Sequence, residues 1–406
     1  MHIAILTNEY PPNVYGGAGV HVEYLTRELA HLDDGAHQVS VFCFGDQDEA
    51  QGNLRVHGIA PGFEPPASEA RHRKLMDTLQ RNLVMAGSVA EADVVHCHTW
   101  YSHWAGCLVK QLAGAKLVLT THSLEPHRPW KVEQLGTAYH ASSWLEKTAY
   151  ENADGVVAVS PSMRDDVHDL YGVALERVAV IPNGIDPDEY RPTFDEAVLR
   201  GYGVDPAVPF VLFVGRITRQ KGIIHLVNAL AHLDPGMQVV LAAGAPDTPE
   251  IEREMADKVQ QARAASTNQI VWISEMLPRN DIITLYSHAA VFACPSVYEP
   301  FGIINLEAMA CETAVVASAV GGIPGVVDDG RTGLLVPLEA VGEGNFEPRH
   351  PAGFARALAE AVNTLMADPD RRTAMGRRGR ARVEEHFSWR AVARQTLAFY
   401  KRLTDT

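Results

Sequence analysis

Short apolar segments alternate with amphipathic helical segments along the whole chain, and this alternation restricts the fold more than any other feature. Most of the apolar segments are near five residues long, which is typical of buried strands in a parallel sheet. The predicted strands are 2–6, 38–44, 94–100, 116–121, 155–160 and 178–181 in the first half, and 210–214, 238–244, 270–273, 291–293, 313–318 and 333–336 in the second. Strands that alternate with helices predict an α/β chain with parallel sheets.

A linker region is predicted between residues 186 and 209, where prolines stand among acidic residues. At 406 residues the chain is too long for one ordinary hydrophobic core. We therefore predict two Rossmann-like parallel-sheet domains facing across a cleft. Residues 1–190 form the N-terminal domain and residues 191–387 the C-terminal domain, with a loop at 341–351 before the last helices.

The stretch 293–312 predicts the end of a strand, a turn and a helix. The turn brings free backbone N–H groups of Phe301, Gly302 and Ile303, next to Ile304, to the start of the helix. Unpaired donors and the helix dipole at such a start favour an anion. Because Gly302 has no Cβ, a ligand can approach the backbone closely there.

Two carboxylates flank this predicted anion site. Glu299 lies just before the turn, and Glu307 lies one to two turns into the helix. A phosphate with a hydroxyl-binding carboxylate on either side suits a nucleotide sugar. The alternative interpretation is an ordinary strand–turn–helix whose acidic side chains are merely solvated.

Two cations follow the first strand of the second half. Arg216 comes directly after the segment 210–214, and Lys221 lies five residues further on. Arginine binds phosphate in a bidentate manner and lysine adds a mobile charge, so the pair predicts a grip for a diphosphate. A solvated cation pair is the alternative. Met276 follows the strand 270–273, on a turn suited to the edge of a nucleobase.

A glycine-rich loop at 7–19 connects the first strand to a helix, which is the phosphate-binding arrangement of doubly wound folds. Gly16 and Gly17 are its candidate ligand-binding residues. The glycine spacing differs from the dinucleotide fingerprint, and no acidic residue stands at the end of the next strand. NAD is therefore not expected.

Polar side chains also stand at the ends of neighbouring strands. His98 and Trp100 end the segment 94–100, and His122 follows the segment 116–121. Ligands of open parallel sheets bind just beyond such strand ends. Arg128 and Lys131 lie in a proline-stiffened loop that suits an anionic acceptor. Surface histidines and a solvated basic loop are the alternatives.

Charge and composition exclude several classes of protein. A net charge of −15 argues against a nucleic-acid partner. No segment approaches the roughly 20 apolar residues of a membrane helix, and the first residues do not resemble a signal peptide. Five scattered cysteines predict reduced thiols, and none of the eighteen histidines forms a His-Glu-x-x-His pair. We expect a cytoplasmic enzyme without a metal or another cofactor.

Taken together, these features resemble the retaining glycosyltransferases of the GT-B fold. The resemblance rests on Gly16-Gly17, Thr121-His122, residues 183–186, Gly215-Arg216 with Lys221-Gly222, and Glu299-Pro-Phe-Gly with Glu307. More narrowly, residues 8–12, 121–126, 128–131 and 143–147 resemble the actinobacterial-type glycogen synthase group, which includes ADP-glucose-dependent α-maltose-1-phosphate synthases.

The resemblance implies a role for each candidate. Arg216 and Lys221 would hold the donor diphosphate, and Gly17 would approach it from the N-terminal side. Glu307 would bind the ribose hydroxyls, Glu299 the transferring glucose near O3, and His122 the O6 of that sugar. His98 stands where classical bacterial glycogen synthases carry an aspartate. The helix 388–406 would pack back on the first domain.

The expected function is that of a retaining α-1,4-glucosyltransferase using ADP-glucose. Its acceptor is glucose 1-phosphate, giving maltose 1-phosphate, or the end of an α-1,4-glucan. One alternative is a UDP-sugar-dependent GT-B enzyme with another phosphorylated acceptor or a lipid acceptor. A GT-B-like sugar-nucleotide epimerase and a non-enzymatic sugar-binding protein are the others. We expect neither nucleic acid nor membrane among the partners, and the formation of a homodimer is left open.

Overall fold

The computed structural model describes residues 1–14, 16–64, 67, 69–342 and 344–405. The chain divides into two compact units. Unit 1 comprises Met1–Gly184 together with Trp389–Thr406, and unit 2 comprises Ile185–Ser388. Within the described residues, none of the helices combines the length and apolar character needed to cross a bilayer.

Unit 1 contains an eight-stranded sheet with helices connecting its strands. The strands are β1 (His2–Leu6), β2 (Gln38–Phe44), β3 (Asp48–Gln51), β4 (Leu54–Ile59), β5 (Val94–His98), β6 (Lys116–Thr121), β7 (Gly155–Ala158) and β8 (Val178–Val180). The first helices are α1 (Gly17–His31), α2 (Arg73–Ser88), α3 (Trp100–Ala113), α4 (Val132–Leu135), α5 (Ala138–Asn152) and α6 (Pro161–Tyr171). Short 3-10 helices cover Leu32–Gly35, Ala70–His72, Glu125–His127, Pro129–Lys131 and Leu175–Arg177.

The strand order in unit 1 is β3-β4-β2-β1-β5-β6-β7-β8. Every neighbouring pair in this sheet is parallel except β3–β4, an antiparallel edge that the sequence analysis did not predict. The chain order reverses between β1 and β5. In such doubly wound sheets this is where the loops after the two strands diverge and leave a crevice for a ligand.

Unit 2 contains a six-stranded sheet and a small hairpin. The strands are β9 (Phe210–Arg216), β10 (Gln238–Gly244), β11 (Gln269–Ile273), β12 (Val291–Cys294), β13 (Ala314–Ser318), β14 (Gly333–Val336), β15 (Ala340–Gly342) and β16 (Asn345–Pro348). The helices are α7 (Glu196–Gly201), α8 (Ile223–Ala229), α9 (Pro249–Ala265), α10 (Arg279–His288), α11 (Ile303–Ala310), α12 (Ile323–Val326), α13 (Pro351–Ala367) and α14 (Pro369–His386), with a 3-10 helix at Leu230–His232.

The six-stranded sheet of unit 2 has the order β11-β10-β9-β12-β13-β14, and all its recorded pairs are parallel. This is the Rossmann order, and its switch point lies between β9 and β12. Every residue of β12 and β13 is buried, as expected for central strands covered on both faces. The predicted class of two parallel-sheet α/β units is confirmed.

The last helix, α15 (Trp389–Thr404), belongs to unit 1. The Trp389 ring stacks on Tyr24 of α1, with ring centroids 5.4 Å apart and planes 5° apart. Further along α15, Phe399 and Leu403 cover Gly155 so closely that a Cβ there would lie 2.6 Å from the Phe399 ring. The helix therefore completes the core of unit 1 from a distant part of the sequence.

Two local predictions were wrong. Residues 341–351 were predicted as a loop, but β15 and β16 pair there in an antiparallel hairpin. Gly344 stands in the turn with a φ of 72°, which glycine adopts at little cost. The first helix also begins at Gly17, whereas a loop was predicted as far as Gly19. The hairpin strands and the misplaced first residues of the helix are too short for the periodicity of apolar residues to define them.

Candidate active site

The switch point of unit 2 brings four predicted residues to adjacent strand ends. Arg216 is the last residue of β9, and Lys221 lies in the turn before α8. Glu299 and Gly302 follow β12, the strand that pairs with β9. Ligands bind beyond the carboxyl ends of such strands, so the topology places these residues where a ligand is expected.

Lys221 and Glu299 contact each other directly. Lys221 Nζ donates to Glu299 Oε2 at 2.8 Å, and Ser296 Oγ donates to the same oxygen at 3.0 Å. The Lys221 side chain is 19% exposed and that of Glu299 is 8% exposed. The next residue, Gly222, has a φ of 59°, and a Cβ there would lie 2.1 Å from the Pro295 carbonyl oxygen. Glycine at 222 therefore lets the lysine turn pack against the loop that carries Glu299.

Arg216 pairs with a different carboxylate. Its Nη1 donates to Asp247 Oδ1 at 3.0 Å, and the Asp247 side chain is only 8% exposed. Asp247 follows β10, the other neighbour of β9 in the sheet. The two cations are thus each held by a carboxylate, and their ammonium and guanidinium donors lie at the end of the same sheet.

Glycine turns fix the backbone around Glu299. Gly302 caps the start of α11 with a φ of 98°, and Ile303 and Ile304 are the first residues of that helix. Gly321 has a φ of 54°, and a Cβ at this residue would lie 2.0 Å from the Glu299 carbonyl oxygen. The neighbouring Gly322 N–H donates to that oxygen at 2.9 Å. The predicted N–H groups at the start of α11 are therefore held in a rigid turn.

Glu307 lies in α11 and is surrounded by tyrosines. Tyr286 Oη donates to Glu307 Oε2 at 2.9 Å, and Tyr190 also hydrogen bonds to this carboxyl group. Burial raises the pKa of Glu307 to about 7, although both tyrosines and the charges of Arg279 and Lys221 act to lower it. A carboxyl group with this pKa both accepts and donates hydrogen bonds near neutral pH.

Other residues of unit 2 near these groups were not predicted. Asn305, in the first turn of α11, is completely buried. Its amide nitrogen and oxygen have no hydrogen-bond partner within the described residues. Asp247, Ser296, Tyr190 and Tyr286 were missed as well, because only the fold brings them to Arg216, Glu299 and Glu307. The predicted Met276 lies on the loop between β11 and α10, where its side chain is 63% exposed.

In unit 1 the predicted glycines lie at the start of α1. Gly16 caps the helix in an extended conformation, and its N–H donates to Glu9 Oε2 at 2.8 Å. Gly17 is the first helical residue. A Cβ at Gly16 would meet no atom within 4 Å, so the surface beside this glycine is open.

The structure brings His98 and His122 together, as predicted from neighbouring strand ends. His98 Nδ1 lies 2.9 Å from His122 Nε2. His21 of α1 joins them, with its ring centroid 4.8 Å from that of His122 and 5.3 Å from that of His98. We refer to His21, His98 and His122 as the histidine cluster. Burial lowers the pKa of all three imidazoles, so they are neutral at physiological pH.

Trp100 does not reach the histidine cluster. It is the first residue of α3 and not part of a strand, and it is 3% exposed. Its ring packs in an apolar group with Leu75, Leu135 and Leu145. Its acceptor-binding role stays a prediction, and the observed position is that of a core residue.

Arg128 and Lys131 lie beside a buried carboxylate that sequence reasoning overlooked. Glu125 is 1% exposed, and its Oε1 lies 3.8 Å from Arg128 Nη1 and 3.9 Å from Lys131 Nζ. Both distances exceed a direct hydrogen bond. Arg128 Nε is buried and has no hydrogen-bond partner in the part of the chain that the structure covers. The two cations thus offset an internal charge, and among the described residues Arg128 Nε keeps an unused N–H donor.

Comparison with known proteins identifies the class of molecule. Residues 15–189 match the model of Glycosyltransferase Family 4, and residues 197–343 match that of Glycosyl transferases group 1. Sucrose-phosphate synthase from Thermosynechococcus elongatus has a similar structure, with a TM-score of 0.78, 27% identity and 99% of each chain covered. The chain is a glycosyltransferase of the GT-B fold class, and an enzyme of the hexosyltransferase type.

Sequence relatives narrow the family further. The chain is 50% identical to alpha-maltose-1-phosphate synthase of Mycolicibacterium smegmatis, over 100% of both chains. It is 45% identical to the protein of that name from Mycobacterium tuberculosis, over 99% of this chain and 100% of the relative. The chain belongs to the group of GT-B glycosyltransferases formed by the α-maltose-1-phosphate synthases and glycogen synthases.

Proposed function

We propose that the chain transfers glucose from ADP-glucose to glucose 1-phosphate with retention of the α configuration, forming maltose 1-phosphate. The observation that carries the proposal is the 50% identity over the full length of a relative with that product in its name. The end of an α-1,4-glucan is the second acceptor, because glycogen synthases belong to the same group.

The donor half of the proposal is supported by the charges at the switch point of unit 2. Cleavage of a glucosyl–phosphate bond leaves negative charge on the departing diphosphate. Arg216, Lys221 and the N–H groups at the start of α11 are preorganised to stabilise that charge, and they do so without a metal ion. In this arrangement Glu299 binds the transferring glucose and Glu307 the ribose hydroxyls.

Retention is proposed to follow from attack on the same face from which the diphosphate departs. The acceptor hydroxyl attacks the anomeric carbon as the glucosyl–phosphate bond breaks. The leaving phosphate oxygen takes the proton from that hydroxyl, so no side chain needs to act as a nucleophile. His122, with its neutral imidazole, is proposed to contact O6 of the donor sugar.

The acceptor half is supported by the cations beside Glu125. Glucose 1-phosphate carries a phosphate that a glucan end lacks, so a basic site favours the former. Arg128 has a buried Nε without a partner within the described residues, and Lys131 Nζ lies too far from Glu125 for a hydrogen bond. We propose that both groups bind the acceptor phosphate. His98 is proposed to line the acceptor site next to His122.

The test is an assay of nucleotide release. ADP-glucose and UDP-glucose are each incubated with glucose 1-phosphate, with glycogen and without an acceptor, in the presence of a metal chelator. Rapid ADP release with glucose 1-phosphate, and α-linked maltose 1-phosphate as the product, is the expected result. Preference for glycogen would instead establish a chain-elongating synthase. UDP release without an acceptor would contradict both proposals and favour the epimerase alternative.

A further inference from the structure

The histidine cluster has the composition of a metal site, although its members come from three separate elements. His21 lies on α1, His98 ends β5 and His122 follows β6. One ring nitrogen from each residue lies within 4.8 Å of those of the other two. This grouping depends on the pairing of β5 with β6 and on the position of α1, so no spacing along the sequence reveals it.

Two ring nitrogens of the histidine cluster are left without a hydrogen bond. His21 Nε2 and His98 Nε2 are both buried, and neither has a partner among the residues that the structure describes. His21 is 1% exposed and His98 is 0% exposed. Buried polar nitrogens are nearly always paired with protein, water or an ion, so unpaired ones indicate a missing ligand.

The partner of His21 sets its tautomer for metal binding. Its Nδ1 lies 2.7 Å from Asn183 Oδ1. A carboxamide oxygen only accepts, so Nδ1–H is the donor and the lone pair is on Nε2. Metal-binding histidines are oriented in this way by an acceptor on the opposite ring nitrogen. When His98 Nδ1–H donates to His122 Nε2, the lone pair of His98 is likewise on Nε2. The same hydrogen bond engages the lone pair of His122, so a metal ion has to displace it to bind the third imidazole.

We propose that the histidine cluster binds one divalent transition-metal ion of borderline softness, of which Zn²⁺ and Co²⁺ are suitable probes. Three imidazoles with a free fourth position are a common set for such ions. The cluster contains no carboxylate, which disfavours Mg²⁺ and Ca²⁺. Neutral imidazole is the form that ligates. The proposed glucosyl transfer does not need this ion.

The location predicts inhibition, a consequence that rests on the proposed function. His122 is proposed to contact O6 of the donor sugar, and a bound metal would occupy its ring nitrogen. Zn²⁺ should therefore inhibit transfer, and a chelator should restore it.

The experiment uses the full chain without a polyhistidine tag, treated with chelator and then titrated with Co²⁺ in the absence of sugar substrates. One equivalent should bind with the visible absorption of four-coordinate cobalt. His21→Gln and His98→Gln should abolish that absorption. The matched control is His140→Gln, at an exposed histidine of α5 in the same unit, which should bind like the wild type.

A further variant separates ligation from folding. Asn183→Ala keeps all three imidazoles but removes the acceptor that orients His21, so cobalt affinity should fall by about 10-fold to 100-fold. Circular dichroism checks that each variant is folded. Octahedral cobalt spectra, or unchanged binding in folded His21→Gln and His98→Gln, would overturn the proposal. Because sugars are absent, failure here leaves the proposed function untouched, and a protein without glucosyl transfer can still show the cobalt spectrum.

Discussion

At the scale of single residues, the candidate site uses the same side chains for internal ion pairs and for the proposed ligands. Lys221 is held by Glu299 and Arg216 by Asp247. Such pairing orients each cation before a substrate arrives, which lowers the cost of ordering them on binding. A substitution of either cation also breaks its ion pair. Each variant is therefore compared with a variant that breaks an ion pair elsewhere in the chain.

Lys221→Ala should lower kcat for ADP-glucose by about 10²-fold to 10³-fold, because the variant lacks the positive charge proposed to stabilise the departing diphosphate. Initial rates of ADP release at several donor concentrations measure it. Arg253→Ala is the matched control in the same unit. Arg253 pairs with Glu250 at 3.0 Å, but both side chains are at least 70% exposed, so its rate should stay near that of the wild type. Equal rates for the two variants would contradict the diphosphate role.

Arg128→Gln should raise KM for glucose 1-phosphate by about 10-fold and leave KM for glycogen unchanged, since only the first acceptor carries a phosphate. Steady-state kinetics with both acceptors measure the split. The control is Arg164→Gln, at an arginine of α6 that pairs with Asp165 in the same unit. A parallel loss with both acceptors would show that Arg128 only offsets the buried Glu125.

Glu146 predicts a pH dependence of stability. It is 2% exposed, and burial together with the nearby Glu125 raises its pKa to about 8. The folded chain thus keeps a proton that the unfolded chain loses near pH 4.5. Between about pH 5 and pH 8 this group should reduce the free energy of unfolding by up to about 1.4 kcal/mol per pH unit as the pH rises.

Glu146→Gln should remove that contribution. Urea unfolding at pH 5.5 and at pH 8 should show a smaller loss of stability for the variant than for the wild type over this interval. An identical pH slope in both proteins would mean that Glu146 is already ionised in the folded chain at pH 5.5.

At the scale of elements, the turns between strands and helices position the site. The turn after β13 carries Gly321, whose backbone packs against the carbonyl oxygen of Glu299 in the loop after β12. Strand pairing brings these two loops together, since β12 and β13 are neighbours in the sheet. A change in the Gly321 turn therefore acts on Glu299 without touching a ligand.

Gly321→Ala should destabilise the protein by at least about 2 kcal/mol more than Gly330→Ala, and should also lower glucosyl transfer. Both glycines have positive φ, so both variants carry the strain of about 1 kcal/mol for a left-handed alanine. Only at Gly321 does the new Cβ collide with backbone, whereas at Gly330 nothing lies within 4 Å. Urea unfolding and ADP release measure the two effects. Equal free energies of unfolding for the two variants would show that the loop carrying Glu299 moves to accommodate the new Cβ at little cost.

At the scale of the whole molecule, unit 1 is assembled from both ends of the chain. A chain that ends at Ser388 lacks α15, and with it the buried Trp389, Leu397 and Tyr400. Fully burying such side chains stabilises by roughly 1.5–3 kcal/mol each, so their loss is large against an ordinary domain stability.

This truncation should unfold unit 1 selectively. Hydrogen exchange should become fast in β1, β5 and β6 while β9, β12 and β13 stay protected. The control chain ends at Thr404, the last residue of α15, and should exchange like the full chain. Protected β1, β5 and β6 amides in the shorter chain would show that residues 1–184 fold without α15.

The sequence by itself determined the class of fold and part of the candidate site. Continuous apolar segments alternating with helices predicted parallel sheets, because strands buried on both faces need apolar residues throughout. Strand ends predicted that His98 and His122 stand at adjacent strands, whereas the grouping of Arg216, Lys221 and Glu299 around one donor was implied by the resemblance to GT-B glycosyltransferases. The fold class and the position of these strand ends depend on which strands are neighbours in the sheet. The local sequence and the rules of parallel-sheet topology together determine that order.

Only the tertiary structure decided which side chains satisfy one another. Asp247 beside Arg216 and His21 beside His98 join residues from different elements, and Trp100 is buried by helices whose packing the sequence does not show. The hairpin at β15 and β16 was missed for a related reason. Its strands are three and four residues long. Such short segments are not stable as strands by themselves and form only when they pair. Periodicity defines an element, whereas the partner of a charge or a ring nitrogen depends on how elements pack.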